Sequence, residues 1–349
     1  MARSLRIQYP GAYYHIMARG HLGKPIFLGD EDRSVFLQTF SDACAMTGWR
    51  VHAWALTSGH YHFFIETPEA NLVHGMSWLQ NTVTRRHNIR HGTSGRLFSD
   101  RYKSVPVEAS DPARYQALCD FIHLSPVRAK MIRPTRGESV GDFPWSSVAE
   151  GYLLPSSKRS KWMVAGEGLS RMGFPDSTAG RRRLVEALDQ RAAAENSKRC
   201  GIPAIEEGVD GRCSSLERGW YWGGPDFLKK LERLKESAKP GKATGGRAKP
   251  KTRSHSQAQA EKWLREGLES AGLKKQDLAK LQGSAPIKLA LAELLWRQTS
   301  VSQGWIAEKL EMCSAANVSQ RLRVLEIAEV EKQLSKPTRD FLKAARRDR

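Results

Sequence analysis

The sequence has neither a long apolar run nor a close pair of cysteines. No segment reaches the roughly 18 uninterrupted apolar residues of a membrane-spanning helix, and the first 17 residues lack the apolar region of a signal peptide. The five cysteines are an odd number and lie far apart, at Cys44, Cys119, Cys200, Cys213 and Cys313. We expect a cytoplasmic protein with no membrane partner and with reduced thiols; the alternative is a redox or metal pair of Cys200 and Cys213.

Acidic residues are the scarcer of the two charge types. Lys and Arg number 56 and Asp and Glu number 37, so the formal net charge of +19 predicts a polyanionic partner. Residues 1–150 hold 17 Lys and Arg against 13 Asp and Glu, a net charge of +4, so most of the excess lies in residues 151–349. With 40% hydrophobic and 27% charged residues, the chain has a globular composition, and its 349 residues predict two or three domains.

Hydrophobic periodicity in the N-terminal part predicts the order β-α-β-β-α-β. The strand-like runs cover residues 13–19, 50–56, 60–67 and 102–108. The helix-like runs cover residues 30–47 and 71–90, with a third that begins at 111–112 and ends before Pro126. We therefore predict an α+β fold, a ferredoxin-like antiparallel sheet with helices on one face, in a domain of residues 1–152.

The rest of the chain predicts helices and a linker. Residues 153–235 form a helical connecting region, residues 236–255 a flexible basic linker rich in Gly, Pro, Lys and Arg, and residues 256–349 a helical domain. An aromatic cluster, Trp220, Tyr221 and Trp222, suits either base stacking or core packing.

Two short helix patterns in residues 300–323 are joined by a turn near 311–314, which is the layout of a helix-turn-helix. Its second helix, from about 315 to 324, carries side chains suited to base edges and phosphates, namely Asn317, Gln320, Arg321 and Arg323. The alternative is a helical hairpin that packs on the rest of the protein.

His60 and His62 flank one tyrosine in a predicted strand. Strand alternation places both imidazoles on one face, about 7 Å apart along the chain, where they can bind one divalent metal ion. Glu66 has the same parity and is a possible third ligand. The alternative is a pair of ordinary, partly buried histidines.

Four ordered motifs give this region a family resemblance: YYHIMARGHLGKPIFLGDEDRSVFL, GWRVHAWALTSGHYHFFIETPEANLVHGMSWLQ, GRLFSDRYKSVPVE and CDFIHLSPVRAKM. Over residues 9–152 the chain resembles the REP-associated tyrosine transposases, which belong to the HUH class of single-strand DNA transposases and nucleases. The resemblance implies an HUH endonuclease-like domain that handles a DNA hairpin with a single-stranded flank. It also implies Mg²⁺ or Mn²⁺ held by His60 and His62, and a tyrosine nucleophile on a following helix.

The sequence departs from the family pattern at the nucleophile. The family reads Tyr-Ile-His-Leu-Asn-Pro where this chain has Phe121 and, four residues later, Ser125. Phe121 has no hydroxyl to attack phosphorus, and Ser125 is a weak substitute for the amide that completes the family's metal site. We expect neither Tyr115, six residues upstream on the helix, nor Tyr102 to replace the nucleophile. Water activated by the metal would be the remaining route to cleavage.

Basic residues near the histidine strand predict a phosphate-binding surface, provided that they converge. They are Arg85, Arg86, Arg90, Arg96, Arg101 and Lys103. The sequence thus favours a transposase-like protein that binds hairpin or single-stranded DNA, with impaired metal-dependent cleavage and transposition. The alternative is a catalytically inactive, domesticated regulator or architectural protein. Either would be a monomer or a homodimer.

Overall fold

A computed structural model of the chain describes residues 6–99, 101–197, 221–237, 251–299, 301–323 and 325–347. The chain divides into two compact units, Met1–Gly246 and Arg247–Arg349. In the described part of the chain, every helix is too short or too polar to cross a lipid bilayer.

The N-terminal unit contains one four-stranded antiparallel sheet. Its strands are β1 (Ala12–Arg19), β2 (Arg50–Leu56), β3 (His60–Thr67) and β4 (Lys103–Val107). They lie in the order β2-β3-β1-β4, so β1 and β3 form the centre of the sheet. This order, with helices between the strands and a helical C-terminal region, confirms the predicted ferredoxin-like α+β fold.

Later segments of the chain pair with both outer strands. Along β2, the backbone N–H of Val51 donates to the carbonyl of Trp162 at 2.8 Å. Beside β4, the N–H of Glu108 donates to the carbonyl of Trp222, and the N–H of Trp222 donates to the carbonyl of Pro106, each at 2.8 Å. These backbone N–H and C=O groups, which an edge strand would leave without a partner, are therefore hydrogen-bonded within the chain.

Two helices cover one face of the sheet, α1 (Asp30–Thr47) and α2 (Leu72–His91). Tyr61 and Phe63 of β3 point toward them, because the ring centroids of Tyr61 and Phe36 lie 5.1 Å apart and those of Phe63 and Phe40 lie 4.0 Å apart. Helix α1 ends as predicted before Gly48, whose φ of +73° is the left-handed conformation that favours glycine.

The third helix, α3 (Pro112–His123), lies on the opposite face. Its Tyr115 packs 5.1 Å from Phe64 and its Phe121 packs 5.7 Å from His62, so the even-numbered residues of β3 face α3. The prediction that the helices lie on one face is therefore wrong. An amphipathic pattern shows which side of a helix is buried, but it does not show which face of a sheet the helix covers.

The segment after α3 packs onto the same unit. It contains α4 (Ser125–Arg128), α5 (Ala165–Arg171), α6 (Thr178–Ser197) and α7 (Pro225–Ser237). Short 3-10 turns occupy His21–Gly23, Pro134–Arg136, Val140–Asp142 and Ser156–Lys158, and a π turn occupies Val148–Tyr152. Asp189 of α6 accepts hydrogen bonds at 2.7 Å from the Ser139 hydroxyl and from the N–H of Val140. The predicted connecting region thus belongs to the N-terminal unit.

Part of the aromatic cluster packs in the core. Tyr221 and Trp222 are partly buried against the hydrophobic core of the N-terminal unit, which is the packing alternative stated above, and Trp220 lies outside the described residues.

Most of the predicted linker also lies outside the described residues, but its two ends are helical, in α7 and in a helix that begins at Lys251. Of the cysteines, Cys44 and Cys119 are buried free thiols and Cys313 is an exposed one. Cys200 and Cys213 lie outside the described residues.

The C-terminal unit is helical. Its helices are α8 (Lys251–Ser270), α9 (Pro286–Gln298), α10 (Gln303–Leu310), α11 (Ala315–Arg323), α12 (Ile327–Lys332) and α13 (Lys336–Arg347), with a 3-10 turn at Lys275–Lys280. The buried Lys288 ammonium of α9 donates to the carbonyls of Leu281 and Glu311, each at 3.0 Å. This lysine holds the turn between α10 and α11 against α9, at the place where the sequence predicted a turn.

Gly75 in the middle of α2 provides a test of this packing. A Cβ at this position would lie 2.3 Å from the buried Trp49 ring, whose Nε1 donates to Asn71 Oδ1 at 2.8 Å. Helix propensity alone would make Gly75→Ala stabilising by about 1 kcal/mol. We expect instead a net loss of about 1–2 kcal/mol in the free energy of unfolding, because the ring cannot move without strain.

Urea denaturation of the full chain measures this change. Gly59→Ala is the matched control, since a Cβ there meets no atom within 4 Å. A Gly75→Ala variant as stable as the native chain would contradict the packing described here.

Candidate active site

The histidine pair begins β3. His60 is exposed at the start of the strand and His62 is buried, with the ring of His62 against α3. Strand alternation gives both side chains the same face. Partial desolvation of the imidazole and the neighbouring Arg19 of β1 lower the pKa of His60.

A third histidine, His15 of β1, lies against this pair. Its Nε2 is 3.1 Å from Nδ1 of His62, and the two rings are stacked at 12° with centroids 5.4 Å apart. Sequence analysis missed His15, because only the antiparallel pairing of β1 with β3 brings it to this face. Its position inside a predicted strand was the one available indication.

Phe121 occupies the position of the family's nucleophile. Its side chain is 1% exposed, and its ring meets the rings of His15 and His62 edge-on, each at 5.7 Å. The Arg128 guanidinium lies 4.6 Å from the centre of the Phe121 ring and donates to the Phe121 carbonyl at 2.7 Å. The Phe121 position thus faces His15 and His62, and it presents a hydrocarbon ring to them.

Ser125 caps the end of α3. Its buried hydroxyl donates to the carbonyl of Ile122 at 2.8 Å. The hydroxyl proton of Ser125 is therefore engaged in this bond. The neutral hydroxyl oxygen is a weaker metal ligand than an amide or carboxylate oxygen.

Glu66 belongs to a different network. Its Oε2 lies 2.7 Å from Nη1 of Arg50 and 3.5 Å from Nε2 of the buried His52. These two partners, His52 first, hold the pKa of Glu66 below its usual value. The carboxylate is therefore ionised and already paired with the Arg50 guanidinium, which makes it a poor additional metal ligand here.

The donor set at the histidine pair does not complete a site for Mg²⁺ or Mn²⁺. Among the described residues, the groupings of three ligand side chains include neither His60 nor His62. Hard ions of this kind prefer oxygen ligands, and the oxygens nearest in sequence, on Ser125 and Glu66, are bonded elsewhere.

Three nearby tyrosines are buried. Tyr115 is fully buried, with its hydroxyl 2.9 Å from Nδ1 of His52, and burial raises the pKa of its phenol well above the usual value. Burial raises the pKa of Tyr102 to about 12. Tyr61 packs on the α1 and α2 face, away from the histidine pair. A buried, un-ionised phenol cannot reach a phosphodiester.

The predicted DNA-contacting arginines of α2 point partly toward α1. Arg86 donates to Thr39 at 2.6 Å, and Arg90 pairs with Glu31 and, at 3.4 Å, with Asp32. Burial lowers the pKa of Arg85 to about 10. By contrast, Arg96 and Arg101 in the loop after α2 are exposed, as is Lys103, the first residue of β4. Accessible charge thus lies in this loop and at the start of β4, in addition to Arg90 at the end of α2.

The predicted DNA-contacting residues of α11 differ in exposure. Gln320 and Arg323 are exposed, whereas Nε of Arg321 donates to Oδ1 of Asn317 at 2.8 Å along the same helix. The buried Val318 anchors the other side of the helix. Gln320 and Arg323 are therefore the two side chains that stand open for contact.

Comparison with known proteins agrees with the motifs. A solved structure described as "Structure of the REP associates tyrosine transposase bound to a REP hairpin" is similar at 13% identity over 42% of this chain and 82% of that one, with a TM-score of 0.35. No curated protein sequence matches. Residues 8–123 match the family model described as "Transposase IS200 like", and this stretch includes all four strands, the histidine pair and Phe121. Over residues 8–123, the sequence is therefore similar to the IS200-like transposases.

Proposed function

We propose that the chain is a DNA-binding, transposase-like protein that recognises a hairpin with a single-stranded flank and has lost tyrosine-dependent strand transfer. The burial of Phe121 against His15 and His62 carries this proposal. A transferring enzyme of this class needs an oxygen nucleophile at this position to form a covalent phosphotyrosine. A phenyl ring has none.

Metal-dependent cleavage is impaired for a second reason. The Mg²⁺ or Mn²⁺ ion implied by the resemblance would polarise the scissile phosphate, and His60 and His62 are the donors that remain for it. Two imidazoles bind such an ion weakly when oxygen ligands are lacking. The loss of the tyrosine and the weak ligand at Ser125 therefore affect the same step.

DNA binding does not depend on that step. The net charge of +19 attracts a polyanion whether or not a bond is cut. In the N-terminal unit, Arg96, Arg101 and Lys103 are exposed for phosphate contacts. In the C-terminal unit, α11 offers Gln320 and Arg323 to duplex DNA, as the second helix of a helix-turn-helix would. We propose that the protein works in the cytoplasm as a monomer or a homodimer.

The alternative is a domesticated regulator or architectural protein that binds the same DNA and never cuts it. The two functions differ in whether cleaved DNA appears. Product without a covalent adduct would indicate hydrolysis, whereas binding without product would indicate the regulator.

The role of position 121 can be tested with a DNA substrate. With Mn²⁺ and a labelled hairpin that carries a single-stranded flank, the native chain should give no denaturant-resistant adduct on a denaturing gel. Phe121→Tyr combined with Ser125→Asn should give one, since the new hydroxyl would lie beside the histidine pair.

Phe121→Leu combined with Ser125→Asn is the matched control, because it changes the same two positions without adding a hydroxyl. An adduct formed by the native chain would show that another residue attacks, and the proposal would be wrong.

The contribution of the loop between α2 and β4 to DNA binding can be tested through the salt dependence of binding. Replacing Arg96 and Arg101 with alanine should weaken hairpin binding and reduce the slope of log K against log salt concentration by about 1.4–1.8, because each lost phosphate contact removes about 0.7–0.9. Binding is measured by fluorescence anisotropy at several salt concentrations.

Arg133→Ala combined with Arg136→Ala is the control, since both residues are exposed arginines of the same unit. It removes the same charge from a different place. If both double variants change the slope equally, the loop has no special role.

A further inference from the structure

Three metal-binding side chains meet where the start of α1 contacts the end of α2. Asp32 lies in the first turn of α1, and His87 and His91 lie in the last two turns of α2. Because the two histidines are four residues apart, they share one face of the helix. That face is directed at α1.

The geometry of this group is compact. One potential ligand atom from each of the three side chains lies within 4.8 Å of the other two. Nε2 of His91 is already 2.8 Å from Oδ1 of Asp32, and the two imidazole rings have centroids 4.5 Å apart. Ligand atoms around a tetrahedral zinc ion are separated by about 3.3 Å, so small side-chain rotations would bring the group to that spacing.

The carboxylate is fixed in place by the backbone. Oδ2 of Asp32 accepts a hydrogen bond from the N–H of Leu28 at 2.8 Å, and the Asp32 side chain is only 6% exposed. An outer hydrogen bond of this kind orients a metal-binding carboxylate and reduces the motion that binding must arrest. His87 and His91 are half-buried, which leaves a fourth coordination position open to water.

We propose that Asp32, His87 and His91 form a binding site for a divalent transition-metal ion of the zinc class, which fastens α1 to α2. Two imidazoles and one carboxylate are a donor set that such ions favour.

The site goes beyond the proposed function, because α1 and α2 cover the face of the sheet opposite His62 and Phe121. The site is therefore independent of the loss of the nucleophile.

The guanidinium of Arg90 would repel a metal ion bound at this site. Nε of Arg90 lies 3.4 Å from Oδ1 of Asp32, but the same guanidinium also pairs with Glu31, so it can keep a carboxylate partner when a metal takes Asp32. Without metal, the group would be a hydrogen-bonded clamp between the two helices. The experiment must separate the clamp from a metal site.

Cobalt and zinc titrations of the full chain provide the test. The His60→Ala and His62→Ala double variant is the starting protein, so that the candidate active site contributes no imidazole from β3. We expect it to bind one Co²⁺ with the visible absorption of a four-coordinate ion, to release that ion to Zn²⁺, and to unfold at a higher temperature with Zn²⁺ present.

Adding His87→Ala should lower the affinity for Co²⁺ by about 100-fold or more. Removal of an outer-shell partner costs about 10–100-fold, and the loss of a direct ligand should cost at least as much. It should also abolish the zinc-dependent rise in Tm. The 2.8 Å bond between His91 and Asp32 does not involve His87, so this variant keeps the clamp. His74→Ala is the matched control, as His74 is an exposed histidine of the same helix.

Two results would overturn the proposal. The first is the lack of one tightly bound Co²⁺ in the starting protein, which would leave only the clamp. The second is binding that survives His87→Ala undiminished, which would place the ion elsewhere in the chain.

Discussion

The packing of Phe121 against His15 and His62 determines both the position of α3 and the chemistry that the side chains on this face of the sheet can perform. A buried tyrosine would need a partner for its hydroxyl, whereas a phenyl ring needs only contact. Beside this ring, Nε2 of His15 lies 3.1 Å from Nδ1 of His62. The position where the resemblance implies a tyrosine is here a buried phenyl ring.

The charges of the N-terminal unit follow a related pattern. Arg86 and Arg90, which by sequence belong to a DNA-binding surface, contact α1 and hold the first two helices together. Arg96 and Arg101, in the loop between α2 and β4, are exposed instead. The arginines that we propose for DNA contact are therefore different from the arginines that hold α1 and α2 together.

Local patterns predicted the elements but not their long-range contacts. The bounds of α1, β2 and β3 agree with the sequence prediction, because glycines at 48 and 59 and the strand alternation mark them. The face that α3 covers, the arrival of His15 beside His62 and the pairing of Arg90 with Glu31 all depend on residues distant in sequence. A single sequence without its fold contains no periodic indication of such contacts.

The pairing of later segments with both outer strands has a consequence for how the protein behaves in concentrated solution. A bare strand edge is a template on which a second chain can add its own strand, and this is a common route to aggregation. Here the backbones of Trp162 and Trp222 occupy part of each edge, and Pro106 interrupts the outer strand. Removing residues 221–237 would uncover the β4 edge, and a shortened chain that kept only the IS200-like region would then be prone to self-association.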